Sequence, residues 1–236
     1  MKCPITGDSE TEFLCEQGPF VWVRFPASGF VCLKELPSES EAAELQNNSM
    51  GHSYIAEYER KWKSKFKRSK GRAKQLKRHV PGRRIVDIGS NVGLFVHAAN
   101  TIGLDCMGVE INQTLVEYAQ KRFPEYQFVN SSLEQLAINE HFDGIYCSEV
   151  IEHVPDVRHF AQCLFSLLND GGVLYLTTPN LDEFQSGAKI NRDLLAPDHK
   201  LYFNKSNIKD FLISVGFRKV QFRFALGGGI KLFATK

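Results

Sequence analysis

The stretch RRIVDIGSNVGLF, Arg83 to Phe95, decides the fold. An apolar pair, Ile85 and Val86, leads into an acid, Asp87. Two glycines, Gly89 and Gly93, then open an apolar, helix-like run. That order describes a buried strand turning into a helix around a ligand. A phosphate-binding loop needs a lysine and a Ser/Thr directly after its last glycine. Leu94 and Phe95 stand there instead, so that loop is excluded. A dinucleotide loop needs G-x-G-x-x-G, and Asn91 and Leu94 hold its second and third glycine places. What remains suits a cationic ligand without phosphate. Asp87 offers a carboxylate, Gly89 a tight turn, and Gly93 a close approach of strand and helix. The next strand, CMGVEI, ends near Glu110, whose carboxylate can accept two hydrogen bonds from a ribose diol.

Outward from this loop, strand and helix patterns alternate. RIVDIG, CMGVEI, YQFVNS, FDGIYCSEV and VLYLTTPN read as strands, and VGLFVHAANTIG, QTLVEYAQKRF and RHFAQCLFSLLNDGG as helices, the last ended by its glycines. This rhythm predicts an α/β fold with a mostly parallel sheet covered on both faces. The tail changes texture. NIKDFLISVGF is a helix, and KVQFRFALGGGIKLFAT predicts an antiparallel hairpin around Gly227, Gly228 and Gly229.

The totals bound the class. The chain has 236 residues, 43% of them hydrophobic and 24% charged, with a net charge of +2. That allows one substantial domain and a small appendage, and announces no nucleic-acid binder by charge alone. No apolar run approaches the ~18 residues of a membrane span. The N-terminus MKCPITGDSE has no apolar signal core. Six cysteines without an export signal read as free thiols, so a cytoplasmic location is expected.

Residues Asp87 to Gly93 match the first motif, D-x-G-x-G-x-G, of the class I S-adenosylmethionine-dependent methyltransferases, with Asn91 for the middle glycine. Asparagine tolerates a left-handed backbone, so the loop is expected to survive. NSSLEQL, FDGIYCSEVIEHV, LNDGGVLYLTTPN and PDHKLYFNKSNIKDFLISVGF continue the resemblance in order, from about Tyr54 onward. The chain resembles the branch that contains ubiquinone-biosynthesis-type O-methyltransferases. The resemblance implies a Rossmann-like seven-stranded sheet, mostly parallel, with an antiparallel C-terminal hairpin. It implies S-adenosylmethionine as cofactor and S-adenosylhomocysteine as product. The implied cofactor residues are Asp87, Gly89, Ser90, Asn91, Gly93, Glu110, Ile111, Ser132, Leu133 and Ser148. Ser132 replaces the usual acid of the adenine contact, which leaves the Leu133 backbone N–H.

Glu149, Glu152 and His153 stand at i, i+3 and i+4, so a helix through all three would put them on one face. His153 is the natural general base for a hydroxyl acceptor, with Glu149 beside it. The resemblance also allows a divalent metal on Glu149, Glu152 and His153, as in ubiquinone-type O-methyltransferases and small-RNA 2′-O-methyltransferases, with His199 in the place of the RNA enzymes' later histidine. The metal is the less favoured of the two. The expected reaction is O-methylation of a small molecule such as a sugar, lipid or secondary metabolite. The alternatives are a metal-dependent RNA 2′-O-methyltransferase and a non-catalytic binding module on the same fold.

The domain boundaries follow composition. Residues 51–80 form a basic capping helix within a methyltransferase domain spanning 51–236. Eleven Lys/Arg lie between Arg60 and Arg78, and Tyr54, Tyr58, Trp62 and Phe66 recur every fourth residue. The aromatic face reads as core, or with Tyr54 or Tyr58 as a cap over the cofactor's methionine end. The charge reads as a solvated face, or as attraction for an anionic acceptor, small molecule before nucleic acid. Residues 1–48 resemble a zinc ribbon that has lost its ligands. Cys3 is kept, but Thr6, Phe25 and Ser28 hold the other three places. No zinc is expected there. A small β appendage packed by Phe13, Trp22, Phe25 and Phe30 is predicted.

Overall fold

The computed structural model describes residues 1–38, 40–41, 44, 52–136, 140–184, 194–223 and 229–236. Gly227, Gly228 and the predicted boundary at 48–51 lie outside the described residues. The main sheet has seven strands. Five are β4 (Arg84–Ile88), β5 (Asp105–Glu110), β6 (Phe128–Asn130), β7 (Phe142–Ser148) and β8 (Leu168–Thr178). β10 (Lys219–Phe222) and β11 (Ile230–Thr235) complete it in the order β10-β11-β8-β7-β4-β5-β6. β6, β5, β4, β7 and β8 run parallel, β11 runs antiparallel to β8, and β10 runs antiparallel to β11. The two strands of the predicted hairpin therefore pair antiparallel, with β10 at the sheet edge. Ile85, Val86, Ile145, Cys147, Leu174 and Leu176 are fully buried in the central strands, as two-sided packing requires.

Helices cover both faces. α1 (His52–Arg60) and α2 (Trp62–Lys77) precede β4. α3 (Leu94–Asn100), α4 (Gln113–Arg122) and α5 (Val157–Leu167) are the crossovers. α6 (Leu181–Phe184) and α7 (Lys205–Val215) follow β8. The basic segment is thus two helices that break at Lys61. Its aromatic residues are mostly core: Tyr54, Tyr58, Trp62 and Phe66 pack on Val92, Leu94 and Leu115. Gly171 and Gly172 do not end a helix as expected. α5 stops at Leu167, and both glycines lie in β8 beside a register irregularity between Phe142 and Gly144. A Cβ at Gly172 would come within 2.8 Å of the Asn169 carbonyl oxygen.

The N-terminal strands β1 (Glu12–Gln17), β2 (Phe20–Phe25) and β3 (Phe30–Leu33) form an antiparallel sheet. A late strand, β9 (Leu201–Tyr202), pairs with β3 and extends it to four. Trp22, Phe25 and Phe30 are fully buried, but Phe13 is 66% exposed. A β-bulge between Phe13 and Cys15 shifts the register, so Cys15 rather than Phe13 turns inward. At the knuckle, Cys3 Sγ lies 3.8 Å from Ser28 Oγ, Phe25 fills the core, and Thr6 bonds Asp8 instead. Cys3, Cys15, Cys32, Cys106 and Cys147 are buried thiols. Among the described residues, no helix is long and apolar enough to cross a membrane.

Candidate active site

Strand order reverses between β4 and β7, and a crevice opens beyond their carboxyl ends. The cavity there measures about 1040 Å³. At its floor, Gly89, Asn91 and Gly93 all have positive φ, at 74°, 53° and 75°. The asparagine does what the missing glycine would do. The Gly89 and Ser90 N–H groups both donate to the Val109 carbonyl, at 2.9 and 3.0 Å, which closes the turn onto β5. Ser90 itself is tucked under the loop, where a Cβ at Gly108 would come within 2.7 Å of its Oγ. Gly93 is needed for a different contact from the one expected. A side chain there would strike the Phe128 ring at 2.7 Å and Ala119 at 3.2 Å, so its close neighbours belong to β6 and α4.

Glu110 ends β5 within reach of this turn. Its carboxylate accepts from the Asn91 and Asn112 N–H groups, both at 2.9 Å. Burial pushes its pKa up, and hydrogen bonds from Asn112, Asn91 and Ile111 work against that. Asp87, at the end of β4, is 2% exposed. Burial, and then the Glu110 charge, hold its pKa well above the usual carboxylate range, with Arg72 opposing. Two buried carboxylates on adjacent strand ends make a site short of positive charge and of hydrogen-bond donors. Ile111, Ser132 and Leu133 line the same cavity. Tyr54 and Tyr58 line its upper side, and their rings lie 5.7 Å apart.

The SEVIEH segment departs from a single helix. Glu149 has a left-handed backbone, φ 57°, and only Ile151–His153 form a 3-10 turn. The strand ends at Ser148, and the chain must swing sharply off the sheet edge. Glu149 takes that swing. Its N–H donates to the Thr177 carbonyl at 2.9 Å, and its carboxylate accepts from the Thr177 hydroxyl at 2.7 Å. The expected shared face does not form. Glu152, His153 and His199 instead bring their ligand atoms within 4.8 Å of one another, without Glu149. Of the four residues offered for a metal, the structure brings these three together.

Within this cluster Glu152 is fully buried. Burial, and then Glu149, raise its pKa despite His153, and the Thr178 hydroxyl donates to it at 3.0 Å. Its other carboxylate oxygen has no hydrogen-bond partner among the described residues. His153 Nδ1 lies 2.8 Å from the Asp198 carbonyl and 3.2 Å from its carboxylate. Burial lowers the His153 pKa, but Asp198 and Glu152 outweigh it and the net shift is upward. His199 is pushed down to about 4 by burial and by His153, whose ring meets it edge-on at 4.8 Å.

Two partners of these residues escape sequence reading. Asp198 stands in the quoted PDHK, yet nothing in the spacing ties it to His153. Thr177 bonds both Glu149 and, at 2.8 Å, Ser148. The Ser148 hydroxyl also receives Arg72 at 3.0 Å, and Arg72 donates to the Tyr146 hydroxyl at 2.6 Å.

The family profile described as a methyltransferase domain matches residues 54–221. The chain belongs to the methyltransferase domain family. Its fold is the one expected for class I S-adenosylmethionine-dependent methyltransferases. It is 33% identical over 107 residues to the ubiquinone biosynthesis O-methyltransferase of Xanthomonas campestris, covering 43% of this chain and 45% of that protein. It is 31% identical over 121 residues to the human mitochondrial ubiquinone biosynthesis O-methyltransferase, covering 45% and 33%. The methyltransferase chain therefore spans less than half the length of these relatives. Among solved structures it resembles magnesium protoporphyrin IX methyltransferase from Synechocystis PCC 6803 with bound S-adenosylhomocysteine. That match has a TM-score of 0.62 and 17% identity over 83% of this chain and 99% of the other. A possible histamine N-methyltransferase from Thermotoga maritima matches with a TM-score of 0.58 and 20% identity, over 78% and 96%. Both likenesses are of fold.

Proposed function

We propose that the chain transfers a methyl group from S-adenosylmethionine to a hydroxyl of a small molecule. One observation carries this reading: Glu110 and Asp87 are buried side by side at adjacent strand ends under a glycine-asparagine turn. Such a pair fits a ligand with a ribose diol, an ammonium and a sulfonium, and fits no phosphate. Glu110 would take the diol, Asp87 would face the positive charge, and the Leu133 N–H would meet the base. Tyr54 and Tyr58 would close the methionine end. When bound, the cofactor supplies an already activated methyl group, so the protein's task is alignment and removal of the acceptor proton.

His153 would take that proton. Its Nδ1 is directed at Asp198, which puts the basic lone pair on Nε2. Asp198 orients the ring and favours its charged form once the proton arrives. Glu149, held by Thr177, would orient the acceptor hydroxyl from the same cavity wall. The relatives named ubiquinone biosynthesis O-methyltransferase support oxygen as the acceptor atom.

A divalent cation on Glu152, His153 and His199 is the second reading. The 4.8 Å clustering and the unpartnered Glu152 oxygen favour it. Calorimetry with S-adenosylhomocysteine tests the first premise, and an absence of binding sinks it. Transfer of labelled methyl to hydroxylated aromatics and sugars, with and without exhaustive chelation, then decides between base and metal. Activity that survives chelation keeps His153 as the base.

A further inference from the structure

The N-terminal appendage grips one wall of the cavity. Asp198 and His199 line that wall, and both stand in residues 194–202. Strands β1, β2 and β3 hold this segment at both ends. At its start, the Gln17 side chain clamps the backbone. Its amide donates to the Leu194 carbonyl, and its oxygen accepts from the Ala196 N–H at 2.9 Å. A carboxamide carries a donor and an acceptor together, so it can bind a loop as a neighbouring strand would. At the far end, the Leu33 N–H donates to the Lys200 carbonyl at 2.9 Å, and Cys32 and Val31 pair with Leu201 and Tyr202. Trp22, Val31 and Leu33 bury Leu194 and Tyr202 in one apolar cluster.

Short connections carry this hold inward. The Tyr202 hydroxyl accepts from the Leu195 N–H at 3.2 Å and meets His199 Nδ1 at 2.8 Å. The His199 N–H donates to the Leu195 carbonyl at 2.9 Å. Between these contacts, the Asp198 carbonyl faces His153 Nδ1 at 2.8 Å and accepts from the buried Lys200 Nζ at 3.3 Å. The Lys200 N–H donates to the Glu152 carbonyl at 2.8 Å, which ties the segment to the 3-10 turn of His153. Asp198 is therefore placed beside His153 by a loop, and the loop is placed by the appendage. A loop that presents a functional contact needs a rigid support, because a misplacement of about 1 Å at a reacting group is costly.

We propose that Gln17 is a positioning residue for methyl transfer: by clamping residues 194–196 it holds Asp198 against His153, and the appendage serves the reaction through this contact. Its bearing on the reaction rests on the methyltransferase reading above, whereas the contact itself can be tested without an acceptor.

The test reads the His153 ring by long-range proton–nitrogen NMR at about pH 9, where imidazoles are neutral, with EDTA present. A His153→Gln variant identifies the signal. Wild type is compared with Gln17→Met, Gln17→Glu and Val23→Ala. Gln17→Met keeps the length of the side chain and loses both bonds. Gln17→Glu sets an acceptor against the Leu194 carbonyl. Val23→Ala hollows the same small sheet on the face turned away from Leu194 and Tyr202. Wild type should carry the His153 proton on Nδ1, toward Asp198. Both Gln17 variants should move the ring to a mixture with the Nε2–H form. Val23→Ala should melt lower, through the cavity it opens, and keep the wild-type tautomer. In methyl-transfer assays Gln17→Met should lower kcat roughly tenfold and change the KM for S-adenosylmethionine by less than about twofold. An unshifted ring in either Gln17 variant overturns the inference, as does a wild-type ring protonated on Nε2. So does an equal shift in Val23→Ala, which would mean general loosening, or a wild-type kcat in Gln17→Met. Failure of S-adenosylhomocysteine to bind wild type by calorimetry is a separate outcome. It removes the methyltransferase reading, while the tautomer still decides whether Gln17 places Asp198.

Discussion

The Asn91 side-chain amide donates to the Tyr54 hydroxyl at 2.8 Å, tying the turn after β4 to helix α1. The same side chain accepts from the Val92 N–H at 2.8 Å, and its own N–H donates to Glu110. One residue thus holds the turn, the strand-end acid and the covering helix together. A glycine in this place could supply only the backbone geometry. The exception to the glycine motif therefore replaces conformational freedom with a tether. It fixes Tyr54 over the floor of the cavity before any ligand arrives.

Asn91→Gly and Asn91→Ala separate these roles. The glycine variant keeps the left-handed backbone and loses the tether, so it should melt close to wild type. Its affinity for S-adenosylhomocysteine should fall by roughly threefold to tenfold, the worth of one hydrogen bond. The alanine variant adds strain at positive φ and should also lose about 1–2 kcal/mol of stability. In a double-mutant cycle, Asn91→Gly and Tyr54→Phe should be strongly non-additive. Additive losses in affinity would show that the Asn91–Tyr54 bond is not what matters.

Gly93→Ala should be the most damaging small change in the loop. The new Cβ meets the Phe128 ring at 2.7 Å, and φ is 75°. Strain and overpacking together predict a loss of about 2–4 kcal/mol. Phe128→Leu in the same background should recover part of it. Thermal or urea melts decide the matter, and a Gly93→Ala protein as stable as wild type would mean that β6 yields freely.

His153→Ala should lower kcat by roughly 10²–10⁴, the usual worth of a general base. The KM for the methyl donor should change little. Asp198→Asn tests the positioning role separately. It should lower kcat less than His153→Ala and should shift the acid limb of the pH–rate profile downward, because Asp198 is what raises the His153 pKa. An unaltered turnover in His153→Ala would leave the ring without a role in the reaction.

The sheet was legible because alternation and glycine punctuation act locally, and each strand carries its own signal. The parts that were not legible depend on partners distant in sequence. Glu149 was read with Glu152 and His153 by helical spacing, but spacing says nothing when Thr177, on β8, holds Glu149 out of the helix. Phe13 is expected to pack the appendage, and one bulge before Cys15, invisible in composition, turns it outward. The Lys/Arg run read as solvated charge, which is true of its outer face. Only the packing of α2 against the cavity reveals that Lys65, Arg68 and Arg72 point the other way. β9 is two residues long, too short for any periodicity, and it is found only through its pairing with β3.

The buried carboxylates make a prediction about pH. Burial raises the Asp87 and Glu110 pKa values in the folded chain above those of the unfolded chain. The folded protein therefore binds more protons than the unfolded one between those values. Stability from this source is fully present below the unfolded carboxylate range. It is lost as pH rises through the raised pKa values, so the ligand-free protein should melt lower as pH rises above about 4. Asp87→Asn removes the cost of a buried charge. It should raise the melting temperature of ligand-free protein near neutral pH and leave it little changed near pH 4. The same change should weaken binding of the cationic methyl donor by at least tenfold, and that of its neutral-sulfur product by less. Donor binding in buffers of different ionisation enthalpy should also show proton release, because a cation beside Asp87 favours its ionised form. If Asp87→Asn destabilises the ligand-free protein at neutral pH, the carboxylate is a structural anchor of the turn. Asp87 would then not be held at a cost for the ligand.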